Sequence, residues 1–390
     1  MEKPHVIVIG GGGTGAAILF DLGLRGLNAT LLERGELTSG TTGRHHGQLH
    51  SGARYAVDDK YVAAECLEES RVLTRIAHYG IERNHGLFIA LNTDDEQHAD
   101  IFTKSCEEAG IPATLLSRNQ ALLYEPNLNP GLRFAIQVPD GSMDAWRVPL
   151  QFFAGAKQHG AAVRTFHEVV GIDISHGAVR GLRVRDWKND RDYTLGCDMV
   201  INAAGVWAGK VGSLAGVKIP VLPSPGTMVA VEGRLTNMVI SRLRPPGDGD
   251  AIIPQRNLSI VGTTGRIAGN PDAVSYSMEE ITFLLSEADR LIPGYSKRPI
   301  HSIWSAARPL IGDSKSKDSR DLSRGFLCID HNARDNIKGL VSVIGGKATT
   351  LRAMGESAVN MVCKSLGIAV PCTTRECVLP SYRQYFRETQ

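Results

Sequence analysis

Residues 5–33 read HVIVIGGGGTGAAILFDLGLRGLNATLLE. The apolar run Val6 to Ile9 is too short for a typical helix and ends directly in glycines, which predicts a buried strand entering a tight turn. In that turn Gly10, Gly12 and Gly15 fall at the G-x-G-x-x-G spacing. The first glycine permits the turn, the second lets backbone approach a pyrophosphate, and the third lets the following helix pack on the strand. A helix over Thr14 to Leu24 then directs its N-terminal amides and dipole at phosphate. A second strand, Ala29 to Leu32, ends in Glu33, whose carboxylate can accept ribose hydroxyls and would repel a 2′-phosphate. Strand, glycines, helix, strand and acid together predict a dinucleotide site; Glu33 argues against NADP and leaves NAD and FAD both open.

Working outward, a chain of 390 residues is long enough for two or three domains with a large core. A net charge of +2 gives no bulk attraction to nucleic acid or to an anionic membrane, so basic residues must act locally. The start, MEKPH, lacks the organisation of a signal peptide, and no run of about 18 apolar residues suited to crossing a bilayer occurs. Seven cysteines (66, 106, 197, 328, 363, 372 and 377) form no C-x-x-C pair. The expectation is a cytoplasmic protein with reduced thiols and no metal site.

Residues 35–55, GELTSGTTGRHHGQLHSGARY, are too small and polar to build core, and a long segment of this kind is usually functional. The hydroxyls of Ser39, Thr41 and Thr42 suit a pyrophosphate or ring edge. His45, His46 and His50 lack the helical spacing and carboxylates of a zinc site. Helices are expected over Asp59 to Tyr79, Asp94 to Ala109, Ser117 to Tyr124 (with Ser117 as N-cap) and Val148 to His159. Strands are expected at Gly86 to Leu91, Ala135 to Gly141, Val163 to Phe166, Val179 to Arg185 and Tyr193 to Leu195. The run Asp198 to Gly205 reads as a buried strand whose small terminal residues can lie beside a dinucleotide, or equally as plain core. Ile219 to Glu232 and Ser259 to Thr264 read as further sheet, and Met278 to Leu291 as a helix.

Near the end, the strand Gly339 to Ile344 runs into Gly345-Gly346-Lys347-Ala348-Thr349-Thr350 and a helix over Leu351 to Leu366. This second helix N-terminus suits developing negative charge, such as that of a reduced flavin ring. Two helix N-termini, one for pyrophosphate and one for a ring, favour FAD over NAD.

The chain resembles the FAD-dependent glycerol-3-phosphate dehydrogenases, and in particular the large subunit of the anaerobic enzyme. The resemblance rests on GGGGTGAAI, on SGTTGRHHGQLHSGARYAV at 39–57, VPDGSMDAWR at 138–147 and VINAAGVW at 200–207. It continues through IVGTTGR at 260–266, AARPLIGD at 306–313, LSRGFLCIDH at 322–331 and IGGKATTLRAMGE at 344–356, nearly the whole chain. It implies an α/β fold: a Rossmann-like FAD-binding domain of the glutathione-reductase type interleaved with a mixed-sheet substrate domain. On this reading residues 1–85, 151–215 and 311–366 form the first domain, 86–150 and 216–310 the second, and 367–390 a tail. The cofactor positions are Gly10, Gly12, Gly13, Thr14, Gly15, Glu33 and Arg34; Thr41, Thr42, Gly43, His46, Gly47 and Gln48; Val169; Ala204, Gly205 and Trp207; and Gly345, Gly346, Lys347, Ala348 and Thr349.

The implied reaction is oxidation of the C2 hydroxyl of sn-glycerol 3-phosphate to dihydroxyacetone phosphate, with hydride passing to flavin N5. Arg54, Arg308 and Arg324 are the matching substrate positions, and an arginine fork suits phosphate. Losing a hydride is easier as the hydroxyl loses its proton, which nominates His50 as base, Lys347 as cationic stabiliser and Tyr55 as a hydrogen-bond donor. The cysteine-rich segment with which the family's large subunit continues has no counterpart here, leaving a quinone, a separate subunit or dioxygen as electron acceptor. Tyr382, Tyr385 and Phe386, beside Arg383 and Arg387, could dock on a membrane surface or partner, or pack on their own domain. The rival substrates are another polyol phosphate, a 2-hydroxy acid such as 2-hydroxyglutarate, or an amino acid; a non-catalytic flavoprotein subunit is the rival from another class.

Overall fold

The computed structural model describes residues 3–312 and 325–387. Strand β1 (His5–Ile9) runs through the glycine turn into helix α1 (Gly13–Leu24), and β2 (Asn28–Glu33) returns parallel to β1. They seed a six-stranded sheet in the order Phe326–Asp330, Leu340–Gly345, Met199–Asn202, β1, β2, Ala162–Thr165. Every pairing is parallel except that of Phe326–Asp330. Alternation along the strands divides the core. Val6, Val8, Ala29 and Leu31 pack with α1 and the helices Arg147–Gln158 and Leu351–Leu366. Ile7, Ile9, Leu32 and Val200 pack against a three-stranded antiparallel sheet, His167–Ser175, Ala178–Asp186 and Arg191–Gly196. A parallel sheet covered on both faces explains why these strands read as continuous apolar runs.

An eight-stranded sheet forms the other half. Its order is Ile300–Ile311, Val221–Glu232, Leu258–Gly262, Ala251–Gln255, Val239–Arg242, Gly86–Ala90, Phe134–Val138, Thr114–Ser117. Helix Met278–Leu291 covers one face and helix Thr93–Glu108 lies on the other. Ser117 and Ser277 both cap their helices with reciprocal side-chain bonds. Strand Ile300–Ile311 has no counterpart in the expected elements. Pro309 interrupts its pattern and much of it is only half-buried; as the sheet's edge it tolerates the missing amide. A third, small sheet pairs Gln48–Leu49 and Ile81–Glu82 with Gly141–Met143.

The helix expected over Asp59 to Tyr79 spans Lys60–Ile76, capped by the Asp59 carboxylate. It is tied to Leu351–Leu366 by a buried ion pair: Arg352 Nε and Nη2 donate to Glu69 at 2.8 and 2.5 Å, with both side chains under 3% exposed. Arg352 Nη1 also donates to Glu356 and to Thr374. Of the two expectations for the tail, packing on its own domain is the arrangement observed. Tyr382–Phe386 is a short 3₁₀ turn packed on helix Arg147–Gln158, with the Arg147 guanidinium 4.8 Å from the Tyr382 ring centroid and Phe153 6.1 Å from Tyr385. Only Phe386 of its three rings stays fully outside, 71% exposed. No helix among the described residues is long and apolar enough to cross a membrane.

Removing one member of a buried pair leaves an uncompensated charge, at a cost of roughly 3–5 kcal/mol. Glu69→Leu is therefore expected to lower unfolding free energy in urea by about that amount, and Glu69→Leu combined with Arg352→Met to recover most of the loss.

Candidate functional site

The carboxyl ends of the parallel strands open onto a cavity of about 1130 Å³ that also reaches the eight-stranded sheet. Its dinucleotide end follows from the glycine turn. A Cβ on Gly15 would lie 1.9 Å from the Gly10 carbonyl oxygen, and one on Gly10 would lie 2.6 Å from that of Ala203. The helix therefore closes directly on the strand, and Gly10, Gly12, Gly13 and Thr14 face the cavity. Glu33 also lines it, and its carboxylate accepts from the amides of Gly11 at 2.7 Å and Gly35 at 2.8 Å. Both carboxylate oxygens are thus aimed by backbone. Thr42 Oγ1 accepts from Gly13 N at 3.0 Å, and Thr41 Oγ1 donates to the Ala307 carbonyl at 2.6 Å. That last bond joins the glycine-rich loop to the far sheet. These features, a cradle that side chains would fill and a helix N-terminus facing a long cavity, fit the pyrophosphate and ribose of FAD.

Arg34, Gln48, Val169, Ala204, Gly205, Trp207, Gly345, Gly346, Lys347 and Ala348 also line the cavity. Gly15, Gly43, Gly47 and Thr349 stand behind the wall. Gly15 backs onto Gly10, Gly43 onto the Thr38 carbonyl, Gly47 onto Gln255, and Thr349 Oγ1 accepts from His50 N at 3.1 Å. Arg34 stacks 4.5 Å from the Trp207 ring centroid, and both reach Asp272 on the loop after Gly262.

At the other end the structure gathers His46, His50, Arg54, Tyr55, Arg308 and Lys347 on one cavity. Arg54 follows a sharp turn. Gly52 has φ +98° and a Cβ there would sit 2.1 Å from the Ala63 carbonyl oxygen, so His50 and Arg54 are brought close by a bend that needs glycine. Arg54 Nη2 is 2.9 Å from both the Gly247 carbonyl and the Asp250 carboxylate. Arg308, on the edge strand, donates to Ser224 Oγ at 3.2 Å and to the Thr264 carbonyl at 3.1 Å. Lys347 Nζ lies 4.7 Å from the Tyr55 ring centroid, near Cys66, whose thiol burial pushes up to about 11. Arg324 lies outside the described residues.

The histidines are held neutral. Burial drives His50 well below its usual value, helped by His46, Arg54 and Lys347. It also lowers His45 to about 4 and His46 to about 3, with His45, Arg54 and Arg308 adding to the latter. His50 is 9% exposed, its ring centroid is 5.3 Å from that of Tyr55, and its Nδ1 is buried with no hydrogen-bond partner among the described residues. Residues not anticipated from sequence include Asp250, which bridges Arg54 and Arg244, and Asp272. Both sit on irregular loops where neither periodicity nor spacing carries a signal.

Such a cavity, glycine cradle and parallel sheet define a dinucleotide-dependent oxidoreductase. Residues 5–350 match the family model described as FAD dependent oxidoreductase. The chain is 41% identical over 385 residues to a subunit of the anaerobic glycerol-3-phosphate dehydrogenase of Escherichia coli K12, covering 98% of this chain and 71% of the relative. It is 39% identical to the corresponding subunit from Haloferax volcanii, covering 98% and 67%. Among solved structures, the glycerol-3-phosphate dehydrogenase of Bacillus halodurans complexed with FAD superposes with TM-score 0.73 at 24% identity, over 97% of this chain and 68% of that one. The L-alpha-glycerophosphate oxidase of Mycoplasma pneumoniae with FAD bound gives 0.78 at 18% identity, over 97% and 100%. These two likenesses concern the fold. The chain belongs to the FAD-dependent oxidoreductase family and, within it, groups with these subunits of the anaerobic glycerol-3-phosphate dehydrogenases.

Gly15→Ala is expected to yield protein without FAD, since the methyl group would have to displace the Gly10 carbonyl. Gly269→Ala, where a Cβ meets nothing within 4 Å, should purify yellow. Absorbance of the two preparations after desalting checks this.

Proposed function

We propose that the protein oxidises the C2 hydroxyl of sn-glycerol 3-phosphate to dihydroxyacetone phosphate. The observation that carries this reading is the joint presence of Arg54, Arg308, His50 and Lys347 on the wall of one cavity whose other end is a dinucleotide cradle. When bound, FAD supplies the two-electron acceptor for the hydride that leaves C2. Arg54 and Arg308 bind the phosphate, their forks bridging its oxygens. Neutral His50, which lines the cavity, takes the hydroxyl proton on a ring nitrogen. Lys347 opposes the negative charge that grows on the C2 oxygen, and Tyr55 holds the ammonium beside it through its ring face. The strands that build each sheet support assigning residues 1–85, 151–215 and 311–366 to the cofactor and 86–150 and 216–310 to the substrate. For the electron exit we favour a partner protein of the same complex, in line with the relatives being named as subunits, and keep a membrane quinone as alternative. Trp146, 49% exposed, and Phe386, with Arg147 and Arg383 near them, would suit contact with a membrane face.

The experiment is anaerobic: sn-glycerol 3-phosphate added to the yellow protein without acceptor should bleach the flavin, and glycerol and 2-hydroxyglutarate should not. Bleaching by 2-hydroxyglutarate alone would transfer the assignment to a hydroxy-acid dehydrogenase. Arg308→Ala removes charge-assisted bonds of about 1.5–3 kcal/mol, which predicts a loss of roughly 10- to 150-fold in kcat/KM for the phosphorylated substrate.

A pH profile tests the base. The reactive form of His50 is neutral and persists at every pH above its pKa, which lies below the ordinary 6.5. The limiting rate of flavin reduction at saturating substrate should therefore stay level as pH falls through 6.5 and decline only in more acid solution. A midpoint at or above the ordinary value would remove His50 from that role.

A further inference from the structure

Asp140 belongs to no motif role assigned above, yet it is a carboxylate only 4% exposed, between the strands Phe134–Val138 and Gly141–Met143. A buried carboxylate is costly unless its oxygens are fully used. Here Oδ2 accepts from Gln48 Nε2 at 2.8 Å, and Oδ1 accepts from Ser51 N at 2.6 Å and Ser51 Oγ at 2.7 Å. The two donor residues flank His50 and are themselves 3% and 0% exposed. Ser51 also begins the bend through Gly52 into the short helix Ala53–Tyr55, which presents Arg54 and Tyr55 to the cavity. On the opposite side His50 N is tied to Thr349 Oγ1. Among the described residues the imidazole makes no hydrogen bond through Nδ1, and its ring neighbours are His46 and Tyr55. Its direction is therefore set by that packing and by what holds the backbone on either side of it.

We propose that Asp140 is a positioning residue: by accepting three hydrogen bonds from Gln48 and Ser51 it fixes the turn that aims His50 and Arg54 into the cavity. The device acts through geometry. It gives a neutral base and a phosphate-binding cation their places before substrate enters, which avoids ordering them during the reaction. The inference rests on the roles proposed above for His50 and Arg54.

Three variants test it in the FAD-loaded protein. Asp140→Ala leaves the Gln48 and Ser51 donors without an acceptor, and the limiting rate of flavin reduction by sn-glycerol 3-phosphate should fall at least tenfold. Asp140→Asn offers its carbonyl to Ser51 and, with the Gln48 amide turned round, its NH₂ to Gln48 Oε1. It should recover to within threefold of wild type. Ser51→Ala keeps one of the two Oδ1 bonds and should be slowed about threefold; it decides the matter if Asp140→Ala fails to fold. A readout without substrate comes from ¹⁵N-histidine labelling. The His50 signal, recognised by its loss in His50→Gln, should move in Asp140→Ala and in Ser51→Ala and return in Asp140→Asn. Wild-type rates with an unmoved His50 signal in both Asp140→Ala and Ser51→Ala would overturn the proposal. So would equal losses in Asp140→Ala and Asp140→Asn, which would make the charge and not the geometry responsible. Wild-type protein that sn-glycerol 3-phosphate cannot bleach would count against the substrate assignment, and the histidine spectra would still judge Asp140.

Discussion

Between Gly15 and the carbonyl of Gly10 there is no room for a methyl group, and the arrangement of the cofactor half depends on that contact. It lets α1 start against the end of β1, so that the helix N-terminus and the carboxyl ends of β1, β2 and Met199–Asn202 meet at one edge. The Gly11 amide can then reach Glu33 at 2.7 Å, and the Gly10 amide the Leu32 carbonyl at 2.9 Å. In open parallel sheets the crevice outside the carboxyl ends of the strands is where ligands bind. Here the last strand of that edge, Leu340–Gly345, delivers Lys347 to the same crevice.

The position of Lys347 is tied in turn to a buried ion pair about one helical turn away from it. Arg352 begins the helix that follows the Gly345–Thr350 turn, and its guanidinium is locked by Glu69 on helix Lys60–Ile76. That helix also carries Cys66, beside Lys347, and starts soon after the turn bearing Arg54 and Tyr55. Two segments almost three hundred residues apart are thereby registered on one another. An apolar contact would stabilise as well but would specify direction less, a role for which buried ion pairs are known in some systems.

The arginines at the end of the cavity away from the glycine turn are each held by oxygen partners. Asp250 balances Arg54 and Arg244, and backbone and hydroxyl oxygens receive Arg308. On the proposed reading an entering phosphate would share Arg54 with Asp250, and its affinity would reflect a competition between two anions for one guanidinium.

Local chemistry accounts for what could be read from the chain alone. A strand, three glycines, a helix and an acid are consecutive, and their interactions span few residues, so the dinucleotide half was legible in Val6–Glu33. Helices were legible for the same reason, through the Ser117 cap and through their apolar spacing. Family motifs extended this to FAD, and the two arginines they nominated, Arg54 and Arg308, both line the cavity. Tertiary structure alone decided the rest. The edge strand Ile300–Ile311 is half-buried and broken by Pro309, so its pattern is that of no single element until it pairs with Val221–Glu232. The two rings of Tyr382 and Tyr385 found a partner in a helix more than two hundred residues earlier, and Asp140 reached back to Gln48 and Ser51 across about ninety. Contacts at such separations leave no periodicity in the chain; they exist only once burial has brought the segments together and each buried polar group has had to find a partner.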